Sequence, residues 1–321
     1  MWRGQREDGG DVLLIDVGNS RIKWAVLGSA GPGAFGVAIL DAASLDAILL
    51  RAWPDEVPPQ QVWISNVAGL EVAHRLRLAV RDRWNFDPRF VYAKPQAFGV
   101  RCAYKAPMRL GADRWAKLVA ARATMKGRNT CILDSGTALT LDALDSTGQH
   151  LGGLIAPGFA LMQRALLKET GGIRAALATE PSHTGLEPGG FLGQDTAGCV
   201  GNGCFQAVVG FVQRALLMLR KRWPTGFAVL ITGGDAGRLL PYLPRQTRHE
   251  QHLVLQGLAV IAQWGQVWHD EQPAPSVQRV TSQIKGDQPS EQRLAMSGCS
   301  PGVFEDQAGV AQSVERLPCK Q

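Results

Sequence analysis

The sequence lacks the features that would place it in several large classes of protein. None of its six cysteines (Cys102, Cys131, Cys199, Cys204, Cys299, Cys319) forms a Cys-x-x-Cys pair, which argues against zinc-ribbon and thioredoxin-like chemistry. Its six histidines form no cluster. His249-Glu250-Gln251-His252 has the wrong spacing for a zinc-binding His-Glu-x-x-His helix. There is no Gly-x-x-x-x-Gly-Lys-Ser/Thr phosphate loop and no His-Arg-Asp or Asp-Phe-Gly of a protein kinase. Charged residues make up only 19% of the chain, too few for a coiled coil or solvated scaffold. No apolar run is expected to reach the roughly 18 residues of a membrane span. The polar start, residues 1–11, has no apolar signal core. A cytoplasmic protein with reduced thiols and no membrane partner is expected.

What the chain does have is length and apolar content. Its 321 residues exceed the needs of one small core, and 45% of them are apolar, so two domains are expected. The net charge of +6 suits an anionic nucleotide as well as a nucleic acid. The basic residues are scattered and carry no aromatic–basic RNA signature, so no nucleic-acid partner is expected. The densest basic cluster, Arg220-Lys221-Arg222, ends an apolar helical run, where cations complement the helix dipole. Cys131 lies in an apolar run and reads as a core residue.

One pattern occurs twice. An apolar run at 12–15 ends in Asp16-Val17-Gly18-Asn19-Ser20, and a strand-like run at 22–27 follows. A second run at 130–133 ends in Asp134-Ser135-Gly136-Thr137-Ala138, and another at 139–144 follows. Each reads as a hairpin about a glycine turn. The two acids stand 118 residues apart (134 − 16), a weak repeat at domain scale. Strand-like runs at 62–65, 89–92, 151–155 and 228–232 alternate with helical ones at 71–84, 113–125, 159–167, 196–219 and 253–267. Gly198, Gly201, Gly203 and Gly210 cost helix propensity in the long run, and close helix or subunit contact would explain them. The alternation predicts an α/β protein, built as a duplicated unit whose glycine turns face each other across a cleft. The expected division is a disordered extension at 1–10 with the true start codon further on, an N-terminal domain at 11–128, a C-terminal domain at 129–271, and a disordered tail at 272–321. Only 9 of the tail's 50 residues are Leu, Ile, Val or Phe. Its last stretch, 310–321, reads as translation of a transfer-RNA gene.

Phosphate chemistry fits the two turns. A glycine turn exposes backbone N–H groups that cradle phosphate. Asn19 and Ser20 add side-chain donors, Lys23 adds a cation, and Asp16 can hold a metal–nucleotide through water. Thr137 and Thr140 do the same in the second turn. An ordinary hairpin remains the alternative for either turn alone. Gly111-Ala112-Asp113-Arg114 precedes an apolar helical run. Asp113 there reads equally as a helix N-cap or as a general base for attack of an alcohol on a γ-phosphate. Arg114 beside it can grip a substrate carboxylate.

Together these residues resemble a known family. Asp16-Val17-Gly18-Asn19-Ser20-Arg21-Ile22-Lys23 resembles the first phosphate loop of type III pantothenate kinases, some of which are named Bvg accessory factors. Gly111-Ala112-Asp113-Arg114, Asp134 with Gly136, Thr137, Ala138 and Thr140, Gly152-Gly153 with Ile155, Pro157 and Gly158, and Thr232-Gly233-Gly234-Asp235 resemble its other motifs in order. The resemblance implies a duplicated actin-like, ribonuclease H-like fold of the acetate kinase, sugar kinase, Hsp70 and actin group. It implies ATP-dependent phosphorylation of pantothenate to 4′-phosphopantothenate. It makes Asp113 the catalytic base and assigns Asp16, Val17, Gly18, Asn19, Ser20, Arg21, Ile22, Lys23 and Thr137 to ATP. It assigns Tyr104, Gly111, Ala112, Asp113, Arg114 and Thr196 to pantothenate. It implies a monovalent cation, K⁺ or NH₄⁺, at Asp134, Mg²⁺ with ATP, and a homodimer. The alternatives are a regulatory accessory factor on the same fold, or another kinase or phosphatase of the group.

Overall fold

The computed structural model of the protein describes residues 11–28, 31–41, 44–53, 57–179 and 191–264; the expected extension at 1–10, the tail at 272–321 and the end of the last helical run lie outside them. Strand β1 (Val12–Val17) is apolar at every position but Asp16 and is buried along its length, the pattern of a strand covered on both faces. Gly18 turns the chain into β2 (Arg21–Gly28), its N–H donating to the Arg21 carbonyl at 2.9 Å. β3 (Gly31–Ile39) continues the antiparallel meander. After α1 (Leu45–Ala52) the chain returns as β4 (Gln61–Asn66), parallel to β1. Helix α2 (Leu70–Trp84) leads to β5 (Arg89–Phe90), parallel to β4. The sheet order is β3-β2-β1-β4-β5.

A small hairpin, β6 (Gln96–Ala97) and β7 (Val100–Arg101), and helix α3 (Ala112–Thr124) precede a second sheet. There β8 (Thr130–Ser135), β9 (Ala138–Leu144) and β10 (His150–Pro157) run antiparallel. Helices α4 (Phe159–Glu169), α5 (Gly171–Thr179) and α6 (Thr196–Arg222) lead to β11 (Ala228–Thr232), parallel to β8. Helix α7 (Ala236–Leu239), β12 (Arg248–His249) and α8 (Leu253–Trp264) complete it. The order is β10-β9-β8-β11-β12, with the same strand senses as the first sheet. Asp16 and Asp134 each occupy the fifth position of the first strand of their sheet, so the repeat read in the sequence is a repeat of structure.

Alternation along each strand sends side chains to opposite faces. Leu13, Ile15 and Val17 pack with α1 and α2, and Cys131 and Leu133 pack with α4 and α6. The other faces meet in one shared core of Val12, Leu14, Ile132 and Leu230 with Trp115 and Leu118 of α3 and Leu258 and Ile261 of α8. Helices α3 and α8 therefore form the layer between the sheets. They pack tightly at Gly257, where a Cβ would stand 1.9 Å from the Ala116 carbonyl oxygen. Only glycine lets α8 settle at that depth.

Three points depart from the sequence reading. β3, which begins Gly31-Pro32-Gly33, is not among the strand-like runs read from the sequence; it is the edge strand, where proline is tolerated. Helix α6 is long and apolar enough by length and composition to cross a membrane, which corrects the expectation that no such run exists; its Val208, Val209 and Val212 belong to the core under the second sheet. Gly203 and Gly210 of α6 meet nothing within 4 Å in this chain, so no packing contact within it explains them. Arg220, Lys221 and Arg222 do fill the last turn of α6. Cys102, Cys131, Cys199 and Cys204 are free thiols, with Cys131 buried.

Candidate active site

The site is centred on a lysine that the motif reading does not include. Lys117 Nζ donates to Asp113 Oδ2 at 3.0 Å and to Asp134 Oδ2 at 2.5 Å. The Lys117 side chain is 1% exposed, against 23% for Asp113 and 22% for Asp134. Burial pulls the ammonium's pKa down, and the two carboxylates more than reverse this, holding it above its ordinary value. Asp113 and Lys117 stand one turn apart on α3, a spacing at which helix side chains meet. Gly111, not Asp113, is the N-cap of α3, so the capping role is excluded and the Asp113 carboxylate is turned to Lys117.

Asp16 completes the cluster from the first sheet. It lies opposite Lys23 on β2 and Ser65 on β4. Burial raises its pKa to about 7, and Asp113 adds to the rise; Lys23 and Lys117 oppose it, and Asp134 adds a smaller increase.

The two glycine turns, which follow Asp16 and Asp134, meet each other. Ser20 Oγ lies 3.1 Å from Thr137 Oγ1, joining loops from different sheets. Gly158 supports the second loop, its N–H donating to the Thr137 carbonyl at 3.0 Å. A Cβ on Gly158 would stand 2.0 Å from the Gly136 carbonyl oxygen. Gly233, at φ +100°, lets Thr232-Gly233-Gly234 pass over Ser135, and Asp235 N–H donates to the Ser135 carbonyl at 2.9 Å. The Arg21 guanidinium reaches this segment, with Nη1 3.7 Å from where a Cβ on Gly234 would be. Gly18 is half-buried and Asn19 and Ser20 are exposed, whereas Val17 and Ile22 are core residues. These last two offer a ligand backbone groups only.

Beside the cluster a second buried network orders Tyr104. Arg114 forks onto Asp142 of β9, Nε to Oδ2 at 2.8 Å and Nη2 to Oδ1 at 2.6 Å, and donates from Nη1 to Tyr104 Oη at 2.8 Å. His150 Nε2 stands 3.0 Å from Asp142 Oδ1, and the Ala103 N–H donates to His150 Nδ1 at 3.4 Å. With Nδ1 accepting, Nε2 carries the proton and donates to Asp142. Burial pushes the Asp142 carboxyl up, and the His150 and Arg114 bonds outweigh it, leaving its pKa below the ordinary range. Gly153 of β10 makes room for this pair: a Cβ there would stand 2.4 Å from Arg114 Nη2 and 2.5 Å from Asp142 Oδ1.

The predicted residues thus fall into four places. Asp16, Asp113 and Asp134 gather about Lys117, and Ser20 and Thr137 gather at the joined loops. Gly111, Ala112, Arg114 and Tyr104 adjoin at the start of α3, with Arg114 already committed to Asp142. Thr196 stands apart: it opens α6 and lines a cavity of about 930 Å³ with Leu161, Met162, Ile173 and Cys199, none of them in the cluster. Lys117, Asp142 and His150 were not read from the sequence. The four-residue step from Asp113 was the available signal for Lys117, and an acid inside an apolar strand was the signal for Asp142. As for a cation at Asp134, one carboxylate oxygen carries the Lys117 ammonium, and Oδ1 lies 2.6 Å from where a Cβ on Gly233 would be. Among the described residues no group of three or more His, Cys, Asp or Glu side chains is arranged to hold a metal ion.

Two sheets of one order, with acid-tipped first strands and glycine turns facing across a helix pair, define the actin-like class of nucleotide-dependent kinases and ATPases. A solved structure from Sinorhizobium meliloti, described as a 2-dehydro-3-deoxygalactonokinase, shares this fold with a TM-score of 0.55 at 13% identity, covering 82% of this chain and 98% of that one. A Campylobacter jejuni structure described as a Baf family transcriptional activator does so with a TM-score of 0.50 at 20% identity, over 79% and 99%. The profile of the type III pantothenate kinase family matches residues 12–217. Proteins named type III pantothenate kinase are 37% identical over 255 residues in Nitrosococcus oceani and 40% over 272 in Burkholderia ambifaria, covering 78% and 79% of this chain and 93% and 97% of the relatives. The chain belongs to the type III pantothenate kinase family.

Proposed function

We propose that the protein transfers the γ-phosphoryl group of Mg·ATP to the primary hydroxyl of pantothenate, giving 4′-phosphopantothenate, the opening step of coenzyme A synthesis. The observation that carries this reading is the Ser20–Thr137 contact, which joins the two glycine turns that follow Asp16 and Asp134 and so supports one phosphate site built from both sheets. Phosphoryl transfer asks the protein mainly for positioning and charge compensation. Backbone N–H groups and hydroxyls of the two loops, with Lys23, hold the phosphates. Asp16 supports the nucleotide's metal through water. Asp113 accepts the hydroxyl proton as the bond to the γ-phosphorus forms and the bond to the leaving ADP oxygen breaks.

Tyr104, Gly111 and Ala112 line the pantothenate side. Arg114, held by Asp142, serves that side by fixing the Tyr104 hydroxyl rather than by offering a free fork. Thr196 is assigned to substrate on the motif resemblance alone. We assign the protein to the cytoplasm and to a homodimer, with the exposed small residues Gly203, Ala207 and Gly210 along α6 as the face that lets a second copy approach closely. The two halves, 11–128 and 129–271, act as the lobes that close on ATP.

The test is ADP release with and without pantothenate, followed by mass spectrometry of the product. Pantothenate-dependent release with phosphopantothenate as product supports the reading. ATP binding without pantothenate-dependent release overturns it in favour of a nucleotide-sensing regulator.

A further inference from the structure

Lys117 is the charged side chain of the site that the proposed reaction leaves without a role. It is among the largest fully buried side chains of the protein. Its helix is packed tightly at the neighbouring residue, where Gly257 of α8 lies against the Ala116 carbonyl. The ammonium bonds Asp113 on its own helix and Asp134 on β8, and it acts electrostatically on Asp16 of β1, which lies opposite Lys23 of β2. Were Lys117 neutral, these three acids would be set against Lys23 alone, and the point where phosphates arrive would be short of positive charge.

We infer that the Lys117 ammonium is a resident cation that stands at Asp134 in place of a diffusible monovalent ion, so that turnover needs neither K⁺ nor NH₄⁺. A free ion on the same carboxylate would sit about 4 Å from the ammonium, where two like charges repel strongly. The ammonium has three N–H donors, of which Asp113 and Asp134 take two; the third remains for an incoming acceptor. The tethered cation therefore holds Asp113 and Asp134 together and adds the charge that a bound ion would otherwise supply.

This inference rests on the kinase reading, and the experiment separates the two. Turnover of the wild-type protein is measured with tetramethylammonium, Na⁺, K⁺ or NH₄⁺ as the only monovalent cation. The expected result is equal turnover, within about twofold, in all four. In Lys117→Gln, turnover in tetramethylammonium falls about a hundredfold, and K⁺ or NH₄⁺ restores at least about tenfold of it. In parallel, thermal unfolding is followed without substrates: K⁺ raises the melting temperature of Lys117→Gln above its value in tetramethylammonium, and leaves the wild type unmoved. Wild-type turnover that requires K⁺, or a wild-type melting temperature that rises specifically with K⁺, overturns the inference, and neither needs the variant to fold. No pantothenate-dependent turnover in any cation defeats the kinase reading instead, while the unfolding series still decides the fate of the cation site.

Discussion

Ser20 and Thr137 are 117 residues apart in the chain and 3.1 Å apart in space. Each sits on the glycine turn of its own sheet, so their contact joins the turns of the two repeats.

Removing either hydroxyl should loosen ATP. Ser20→Ala and Thr137→Val each forfeit a hydrogen bond of about 1 kcal/mol, about a fivefold rise in KM for ATP. Because the groups are in contact, the double variant should fall short of additivity by at least about 0.5 kcal/mol. A double-mutant cycle on KM checks this, and strict additivity would mean the hydroxyls act independently on the nucleotide.

Asp113→Asn should retain the fold, because Gly111 caps α3 and Lys117 keeps Asp134 as a partner. The expected loss is in kcat, by about 10² to 10⁴ for a general base. Circular dichroism with steady-state kinetics separates the two quantities. A kcat within tenfold of wild type would remove Asp113 from the proton transfer.

Asp16 gives stability a pH dependence of definite sign. Its carboxyl rises from 3.8 in the open chain to about 7 when folded, so between those values the folded state holds a proton that the unfolded state has released. The associated stability is fully present below about pH 4, declines as pH rises, and is gone above about pH 7. At about 1.4 kcal/mol per pH unit the whole loss is about 4 kcal/mol. Asp16→Asn cannot ionise and should lack this component. Urea unfolding of both proteins from about pH 5 to pH 8 should therefore show the wild type losing ground to the variant; curves that stay parallel would count against the shifted carboxyl.

Gly152 and Gly153 are adjacent and should respond differently to alanine. At Gly153 the new methyl collides with Arg114 and Asp142, and disrupting a buried ion pair costs about 3 to 5 kcal/mol. At Gly152 nothing lies within 4 Å, and the cost comes from φ +111° alone, about 1 to 2 kcal/mol. Gly153→Ala should also raise KM for pantothenate through Tyr104 while leaving KM for ATP near wild type. Melting temperatures and the two KM values test the pair.

Much of this arrangement was legible in the sequence, for local reasons. Asp16 and Asp134 end short apolar runs before glycine turns, and that strand–turn–strand pattern is written in consecutive residues. β11 and the start of α6 matched their expected bounds because apolar periodicity and flanking turn residues agree there. What escaped was non-local. Lys117, in the apolar stretch Trp115-Ala116-Lys117-Leu118-Val119, looks like a lysine that reaches out to water; its purpose appears only once β8 brings Asp134 to it. Asp142 and His150 answer each other across β9 and β10 and answer Arg114 from α3, a meeting that no spacing encodes. β3 was hidden by its own glycines and proline, which an edge strand can carry because one side of it has no partner.

Asp113 and Lys117 ride the same helix, one turn apart, while Asp16 and Asp134 belong to different sheets. Helix α3 is thus an axle between two leaves. Should the leaves swing to admit or release a nucleotide, the distance between base and ammonium is set by helical pitch and stays constant, and only the gap spanned by the two loops changes. On the proposed reading, gripping the phosphates and drawing off the proton are then geared to separate parts, and the mouth opens without parting Asp113 from Lys117.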